Sequence, residues 1–188
     1  MKLLARLLLG VVAATAAISS RNGGNVLRAA ETSAPPERIG IYDSRVIAYA
    51  HFWSAGHQRE LNERVKAARA AKATGQKERF DELEAAIQNA QKTNHLQVFS
   101  TAPVDDVLDA MKDRLPAIQK QAGVAKLVSK WDEAALKKYP RANQVEVTEL
   151  LLGEFKLDER KMKVAQDIRK KTPLPLDQAH ELMRKGKL

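Results

Sequence analysis

The sequence predicts an α+β protein in which a small β body carries a protruding antiparallel α-helical coiled-coil hairpin. Three short stretches have the apolar patterns of strands, and two of them follow a long helical region. Within that region, two segments carry apolar residues at steps of three and four, the spacing of a coiled-coil seam. Aromatic residues make up only 5% of the 188 residues, which favours thin apolar seams over a thick globular core.

The N-terminal residues are expected to precede the folded domain. Lys2 and Arg6 flank the start of a run of about a dozen apolar or small residues, which is shorter than the roughly 20 residues of a membrane-spanning helix. This pattern predicts a cleavable secretory signal peptide at residues 1–17, with an uncleaved membrane anchor as the alternative. Residues 18–37 are rich in Ser, Gly, Ala and Pro and predict a flexible leader.

The charge of the chain favours an anionic partner or surface. The net charge is +9 and the pI is about 9.8, and loss of the signal peptide would leave about +7. Acidic polypeptides and anionic lipids are both candidates, whereas export from the cytoplasm counts against nucleic acid. The chain has no cysteine, which excludes disulfides, thiol catalysis and cysteine-ligated zinc.

The predicted body begins at residues 38–44, where Ile39 and Ile41 alternate with other residues as in a half-buried strand. Asp43 or Ser44 can cap the helix that follows, because either side-chain oxygen can accept a hydrogen bond from the first helical turn. We expect this helix to continue to about residue 73, with a weak point at Gly56, and to be about 40 Å long. A second helix should end near residue 94, so the predicted arm spans residues 45–94.

The two arm helices have apolar positions that match each other. The predicted seam pairs residues across the two helices: Leu61 with Ile87, Val65 with Leu83, and Ala68 with Phe80. In each pair the two residue numbers have the same sum, so the chain should fold back at residue 74, next to Gly75. The apolar spacing and the glycine therefore predict the same turn.

Positive charge is concentrated at this predicted turn. Residues 64–79 contain six cations and a single acid, Glu78. The cations are Arg64, Lys66, Arg69, Lys72, Lys77 and Arg79. A charged run of this kind is often only a solvated helix face. Because this run lies at the predicted tip of a hairpin, a binding role and a solvated face are equally good interpretations of it. We therefore take these residues as the candidate client-binding site.

The rest of the body, residues 104–157, should contain one kinked helix and two strands. The apolar pattern predicts a helix over residues 104–122 with a kink at Pro116 and an end at Gly123. Residues 95–103 are expected to break the preceding helix, and residues 124–131 form the second strand candidate.

The third strand candidate contains Val145 and Val147, and Thr148 is expected to cap a short helix after it. Residues 158–188 then predict a charged helical extension that is interrupted at Pro173 and Pro175. We find no internal repeat in the chain.

Catalysis has little support in the sequence, and we expect neither an enzyme nor a cofactor. His51 and His57 are six residues apart and share a helix face poorly, so no metal site is predicted. The acidic run from Asp105 to Asp113 is interpreted as a solvated helix face. There is no nucleophile elbow and no phosphate-binding glycine loop.

Aromatic residues are scarce elsewhere but adjacent at Phe52 and Trp53. The pairing of the two arm helices places these residues opposite residues 95–99, which include Leu96, Val98 and Phe99. We therefore expect a hydrophobic cluster at the base of the arm rather than a ligand site.

Three motifs in the right order resemble the Skp/OmpH family of periplasmic chaperones. RIGIYDSRVI resembles the family's first strand and its entry into the arm, AIQKQAGVAKLVSKW resembles its return to the body, and QVEVTELLLGEF resembles its closing strand and helix. The resemblance covers about residues 38–157. The arms are shorter than is usual in the family, and the C-terminal extension is longer.

The resemblance implies a jellyfish-like homotrimer whose arms enclose unfolded outer-membrane proteins without ATP. It also implies that Ile39, Ile41, Val145 and Val147 lie in the trimer body. A monomeric sheet covered by the helix of residues 104–122 is the structural alternative. An envelope scaffold or peripheral membrane-binding protein that uses the basic hairpin tip is the functional alternative.

Overall fold

The structure is a computed structural model that describes residues 37–188. It contains a parallel three-stranded sheet formed by β1 (Arg38–Tyr42), β2 (Lys126–Ser129) and β3 (Asn143–Glu146). The strand order is β2-β1-β3, so β1 is central and is parallel to both neighbours. Within this register Ile41 pairs with Val128 on one side and with Glu146 on the other. The predicted signal peptide and nearly all of the predicted leader lie outside the described residues.

Helices make up most of the rest of the described chain. Their bounds are α1 Ser44–Phe52, α2 Ala55–Ala73, α3 Lys77–Phe99, α4 Asp105–Ala110, α5 Leu115–Ala122, α6 Glu133–Leu136, α7 Thr148–Gly153, α8 Glu159–Arg169 and α9 Leu176–Arg184. The predicted combination of helices with a small sheet is therefore confirmed, and the sheet is parallel. Parallel strands require crossover connections of a dozen or more residues, and the helical region between β1 and β2 provides one.

The core is built around α1, which follows the central strand directly. Val46 and Ile47 of α1 are fully buried, and α1 contacts α3, α7 and α8. Leu151 and Leu152 from α7 and Ala165 from α8 complete the same cluster. The predicted C-terminal extension is therefore packed on the body through α8.

Glycine allows the central strand to pack closely at Gly40. A Cβ atom placed there would lie 2.9 Å from Leu127 Cδ2 and 3.1 Å from Val147 Cγ2, which is closer than van der Waals contact allows. The absence of a side chain at Gly40 therefore lets β2 and the residue after β3 approach the central strand.

The predicted continuous helix over residues 45–73 is wrong. It is interrupted at Trp53 and Ser54, where Ser54 Oγ accepts a hydrogen bond of 3.3 Å from His57 N and begins α2. Gln58 Nε2 also donates a bond of 2.7 Å to Phe52 O across the interruption. The break comes before Gly56 because a serine N-cap satisfies the new helix start. Of α1 and α2, only α2 belongs to the arm, because α1 packs in the core. Helix α2 is 19 residues long, or about 28 Å at the standard rise.

The other end of the arm is longer than predicted. Helix α3 continues past residue 94 to Phe99, because Gln97 and Val98 are buried against the body. The break therefore begins at Ser100, which adopts an extended conformation. Between α2 and α3 the turn lies at Thr74–Gln76, with Gly75 at φ 69°. The predicted turn position is confirmed.

Two predicted helix boundaries also need correction. Pro116 does not kink a helix over residues 104–122; it lies in the first turn of a separate helix, α5, where its missing N–H needs no partner. Thr148 begins α7 but does not cap it, because its hydroxyl accepts a hydrogen bond from Asp43 N instead. Gly123 ends α5 in the left-handed conformation, as predicted.

Within residues 37–188, no helix combines the length and apolar character needed to cross a membrane.

Candidate functional site

The predicted client-binding cations lie on exposed positions around the α2–α3 turn. Lys66 pairs with Glu63 at 2.7 Å and Lys77 pairs with Asp81, but both pairs are largely exposed to solvent. The remaining cations form no ion pair with any described residue: Arg64, Arg69, Lys72 and Arg79. Exposed ion pairs contribute little, so the basic turn keeps most of its positive field.

The predicted seam residues lie on α2 and α3, and these two helices contact each other. Ala68 is buried, as is Ala71 one turn further on. The larger seam residues are only half-buried: Leu61, Val65, Phe80, Leu83 and Ile87. Near the turn, Lys72 Nζ lies 5.3 Å above the ring of Phe80. The helix pair is therefore thin and leaves part of its apolar surface accessible.

An aromatic surface lies at the base of this helix pair. We define it as Tyr49, Phe52, Trp53, His95, Phe99 and Val164. Trp53 is 40% exposed and Phe99 is 50% exposed. Trp53 contacts the ring of Phe52 edge-on, with centroids 5.2 Å apart. The predicted cluster at the arm base is present, but it faces solvent rather than closing into a core.

Two grooves meet at Trp53 on the aromatic surface. One has a volume of about 380 Å³ and runs between α1 and α3 towards Phe99. The other has a volume of about 480 Å³ and runs towards Val164 on α8, where Lys161 and Arg160 line it. Exposed apolar patches beside polar residues are typical of interaction surfaces.

A buried charge cluster occupies the carboxyl end of the central strand. The Asp43 carboxylate is fully buried and accepts hydrogen bonds from Arg45 Nη2, Lys130 Nζ and Trp131 Nε1, each at 2.9 Å. Arg45 is only 2% exposed, and its guanidinium lies 4.8 Å from the centroid of the Trp131 ring. The backbone N–H of Asp43 donates to Thr148 Oγ1 at 2.9 Å.

Asp43 holds a negative charge in this cluster. Burial alone would raise the pKa of its carboxyl, but the hydrogen bonds from Arg45, Trp131 and Lys130 together lower the pKa below its ordinary value of 3.8. Both carboxylate oxygens are occupied by these donors. The cluster therefore ties β1 to the segment after β2 and leaves Asp43 poorly placed to act on a substrate.

An acidic cleft opens beside this cluster at the carboxyl ends of β1 and β2. We call it the carboxyl-edge cleft; its volume is about 380 Å³. It is lined by Tyr42, Thr101, Ala102, Pro103, Val104, Asp105, Leu108, Leu127, Val128, Ser129, Trp131, Asp132, Glu133 and Ala135. Ligands of parallel sheets commonly bind at this edge of the strands, so the cleft is a second candidate site.

Two histidines that the sequence separates are brought together by the helix interruption. The rings of His51 and His57 lie 4.8 Å apart between centroids, although the two residues would share a face poorly on one continuous helix. Burial, followed by the neighbouring His57, lowers the pKa of His51, and burial lowers the pKa of His57. No group of three or more metal-ligating residues occurs among residues 37–188.

The four aspartates of the predicted acidic face are all exposed: Asp105, Asp106, Asp109 and Asp113. Asp105 also lines the carboxyl-edge cleft, and Asp106 accepts a hydrogen bond of 2.6 Å from Gln97 Nε2. The interpretation as solvated charges agrees with this exposure, but Asp113 lies between α4 and α5 rather than on one continuous helix.

The residues expected in a trimer body are unequally accessible. Ile39 and Val147 are enclosed by the chain's own core, with 0% and 1% of their surface exposed. Ile41 and Val145 remain half-buried. The three strands pair with one another within one chain.

Sequence reasoning missed the carboxyl-edge cleft and the role of Trp131. Asp43 was considered only as a helix cap, and the strands were not assigned as parallel. An available signal was that Asp43 and Trp131 each follow a strand closely, because the carboxyl ends of parallel strands meet at one edge of a sheet. Comparison with known proteins finds no matching family model, no matching curated protein and no matching solved structure.

Proposed function

We propose that this protein is an ATP-independent holdase chaperone of the periplasm that binds unfolded outer-membrane proteins. The observation that carries the proposal is the aromatic surface at the base of a basic helix pair. Trp53 and Phe99 expose about half of their surface in grooves that a single chain leaves open. The three motifs that resemble the Skp/OmpH family provide the second reason.

The aromatic surface and the basic turn would act on different parts of a client. Strands of outer-membrane barrels alternate apolar and polar residues, so an unfolded client offers apolar side chains at short intervals. The grooves beside Trp53 and Phe99 can take these side chains in shallow contacts. The basic turn, about 28 Å away along α2, attracts acidic segments over a longer range.

The trimer and the coiled-coil packing of the arm are part of this proposal. The half-buried seam residues Val65 and Leu83 leave apolar surface that a neighbouring arm or a client would cover. Contacts between chains in the body would use Ile41 and Val145, because Ile39 and Val147 are already enclosed. Light scattering coupled to size exclusion would give three chains per particle, and a monomer at all concentrations would remove this part of the proposal.

The experiment that tests holding is dilution of a urea-unfolded outer-membrane β-barrel protein from denaturant, with and without the protein. We expect the chain to suppress light scattering at low salt and to suppress it less at high salt, because salt screens the basic turn. Absence of suppression at both salt concentrations would contradict the proposal.

Binding to a membrane surface is the second candidate, because four cations at the turn have no ion-pair partner among the described residues. Juxtaposed basic residues bind anionic headgroups with about 1 kcal/mol per residue near the surface. Flotation with anionic and with neutral vesicles distinguishes the candidates. Co-flotation only with anionic vesicles, without suppression of client aggregation, would favour the membrane-binding role.

A further inference from the structure

The carboxyl-edge cleft is strongly acidic in a chain with a net charge of +9. Its lining contains three carboxylates, Asp105, Asp132 and Glu133, and no lysine, arginine or histidine. The nearby cations Arg45 and Lys130 share the single carboxylate of Asp43, so this cluster leaves one positive charge against the three carboxylates of the lining. The cleft is therefore negative where the protein as a whole is positive, and a ligand that enters it should carry positive charge.

The three carboxylates are only partly compensated by the protein. Asp105 makes no ion pair with any described residue, and Asp132 uses one oxygen, Oδ1, to accept a hydrogen bond of 2.9 Å from Ala135 N at the start of α6. Glu133 approaches Lys137 at 3.8 Å, but both side chains are about four-fifths exposed, so this pair contributes little. The cleft retains acceptor positions for a cationic donor.

Tyr42 provides an independent indication of a ligand. It ends the central strand, it is only 5% exposed, and it lines the cleft. Its hydroxyl makes no hydrogen bond with any described residue, and it is not among the fully buried unpaired oxygens, of which the described residues have only Ser44 Oγ. The ring is therefore buried while the hydroxyl remains open to a partner in the cleft. Burial, with the nearby carboxylates of Asp105 and Asp132, raises the pKa of Tyr42. The hydroxyl therefore stays neutral and can accept a hydrogen bond.

The remaining walls of the cleft indicate the shape of the ligand. Leu108, Leu127 and Val128 line it with aliphatic surface, which suits methylene groups rather than a fully hydrated ion. A divalent metal ion is a poor fit, because the part of the chain that the structure describes has no cluster of three metal-ligating residues. The combination of aliphatic walls, carboxylates and a tyrosine hydroxyl selects an alkyl chain with a charged nitrogen at its end.

We propose that the carboxyl-edge cleft binds a primary alkylammonium group, with Asp105, Asp132 and the hydroxyl of Tyr42 around the nitrogen. An ammonium group has three N–H donors, which matches these three acceptors. The alkyl chain lies against Leu108 and Leu127. A free aliphatic amine and the lysine side chain of a peptide share this chemistry, and the proposal does not depend on the holdase function.

Calorimetry with the full chain tests the proposal and distinguishes the two sources. The probes are cadaverine, a lysine-containing tripeptide with blocked ends, and the same tripeptide with norleucine in place of lysine. We expect binding of at least one ammonium compound and none of the norleucine peptide. Tighter binding of cadaverine identifies a free amine as the ligand, and tighter binding of the lysine peptide identifies a basic polypeptide.

Two variants locate the binding site. Asp105→Asn should weaken ammonium binding roughly tenfold or more, because it removes a charged acceptor, and Tyr42→Phe should weaken it by a smaller factor. Asp109→Asn is the matched control, because it removes the same charge from an exposed position on the same helix. Its affinity should stay within about twofold of the unmodified chain.

Three results would overturn the proposal. The first is absence of binding by both ammonium compounds at millimolar concentration. The second is unchanged affinity in Asp105→Asn, which would place the binding elsewhere. The third is displacement of the ammonium compound by Mg²⁺ or Ca²⁺ at equal concentration, which would assign the cleft to metal ions.

Discussion

Trp131 Nε1 donates a hydrogen bond of 2.9 Å to the carboxylate of Asp43, which lies 88 residues earlier in the chain. The bond joins the end of the central strand to the segment that follows β2. Arg45 packs over the Trp131 ring while it also bonds to Asp43. The Asp43 carboxylate therefore holds three groups in place beside the cleft: the guanidinium of Arg45, the indole of Trp131 and the ammonium group of Lys130.

Replacement of Asp43 by alanine should destabilise the body strongly. It would leave the guanidinium of Arg45 buried without a counter-charge, and removing one partner of a buried ion pair costs about 3–5 kcal/mol. Urea unfolding followed by far-UV circular dichroism measures the change in the free energy of unfolding. Asp113→Ala is the control, because Asp113 is exposed and forms no ion pair with any described residue; an equal loss in both variants would contradict the assigned role of Asp43.

The Asp43 carboxylate also predicts a pH dependence. Its pKa is lowered in the folded chain, so its stabilisation is fully present above the ordinary value of 3.8 and is lost as the pH falls through the lower folded value. In Asp43→Asn this acid-dependent loss of unfolding free energy should become smaller.

The paired histidines predict a second pH dependence at higher pH. Burial and His57 lower the pKa of His51 below its ordinary value of 6.5, so the unfolded chain takes up protons first as the pH falls. The free energy of unfolding should therefore be highest above pH 6.5 and decrease as the pH falls below it. His51→Gln should reduce this decrease, measured by urea unfolding at a series of pH values.

His51 also lies near charges on other elements, including Asp106, Glu60 and Arg114. A control variant, His180→Gln, replaces an exposed histidine on α9 and should leave the pH dependence unchanged. If His51→Gln and His180→Gln flatten it equally, the His51–His57 pair is not its source.

The close packing at Gly40 predicts that a single methyl group there is harmful. Gly40→Ala places a Cβ atom 2.9 Å from Leu127 Cδ2, 3.1 Å from Val147 Cγ2 and 3.2 Å from Val124 Cγ2. The leucine end can shift, but both valines are buried, and overpacking against them costs about 1–3 kcal/mol. Gly153→Ala is the matched control, since nothing lies within 4 Å of its Cβ position. Thermal unfolding should show a lower midpoint for Gly40→Ala and not for Gly153→Ala. An unchanged midpoint for Gly40→Ala would show that the side chains around Gly40 move apart without loss of stability.

Neutralisation of the basic turn should weaken client capture and its dependence on salt. The variant carries Arg69→Gln, Lys72→Gln and Arg79→Gln, and the control carries Arg59→Gln, Lys92→Gln and Lys120→Gln. Both variants lose three charges from exposed positions, but only the first loses them at the turn. The aggregation assay should show reduced suppression at low salt for the turn variant alone, because local charge steers association.

Equal loss of suppression in both variants would mean that net charge, rather than the turn, attracts the client. Retention of full suppression and of its salt dependence in the turn variant would remove the turn from the mechanism. The far-UV circular dichroism of both variants should match that of the unmodified chain, because glutamine is a good helix former.

The helical pattern and the glycine at the turn could be predicted from sequence because their causes are local. Apolar spacing predicted the strand at Ile39, and Gly75 marked the turn between α2 and α3. The interruption at Trp53 and Ser54 was missed, because a serine N-cap inside a helical pattern resembles an ordinary helix residue. The end of α3 was missed because contacts of Gln97 and Val98 with the body extend it.

The carboxyl-edge cleft could not be predicted because it depends on strand direction. Asp43 and Trp131 are brought together only when β1 and β2 are parallel and adjacent. Likewise, the sequence indicates only that Tyr42 is a strand residue. That its hydroxyl shares a cleft with Asp105 and Asp132 follows only from the folded structure. Long-range pairing, rather than local pattern, determines this site.

Site-specific photo-crosslinking tests the proposed holding of unfolded clients most directly. A photo-reactive phenylalanine analogue replaces Phe99 in one variant and the exposed Gln121 of α5 in a control. Each is mixed with an unfolded outer-membrane protein and irradiated. The account predicts client crosslinks at position 99 and few at position 121. Absence of crosslinks at position 99, or equal yields at both positions, would contradict binding at the aromatic surface.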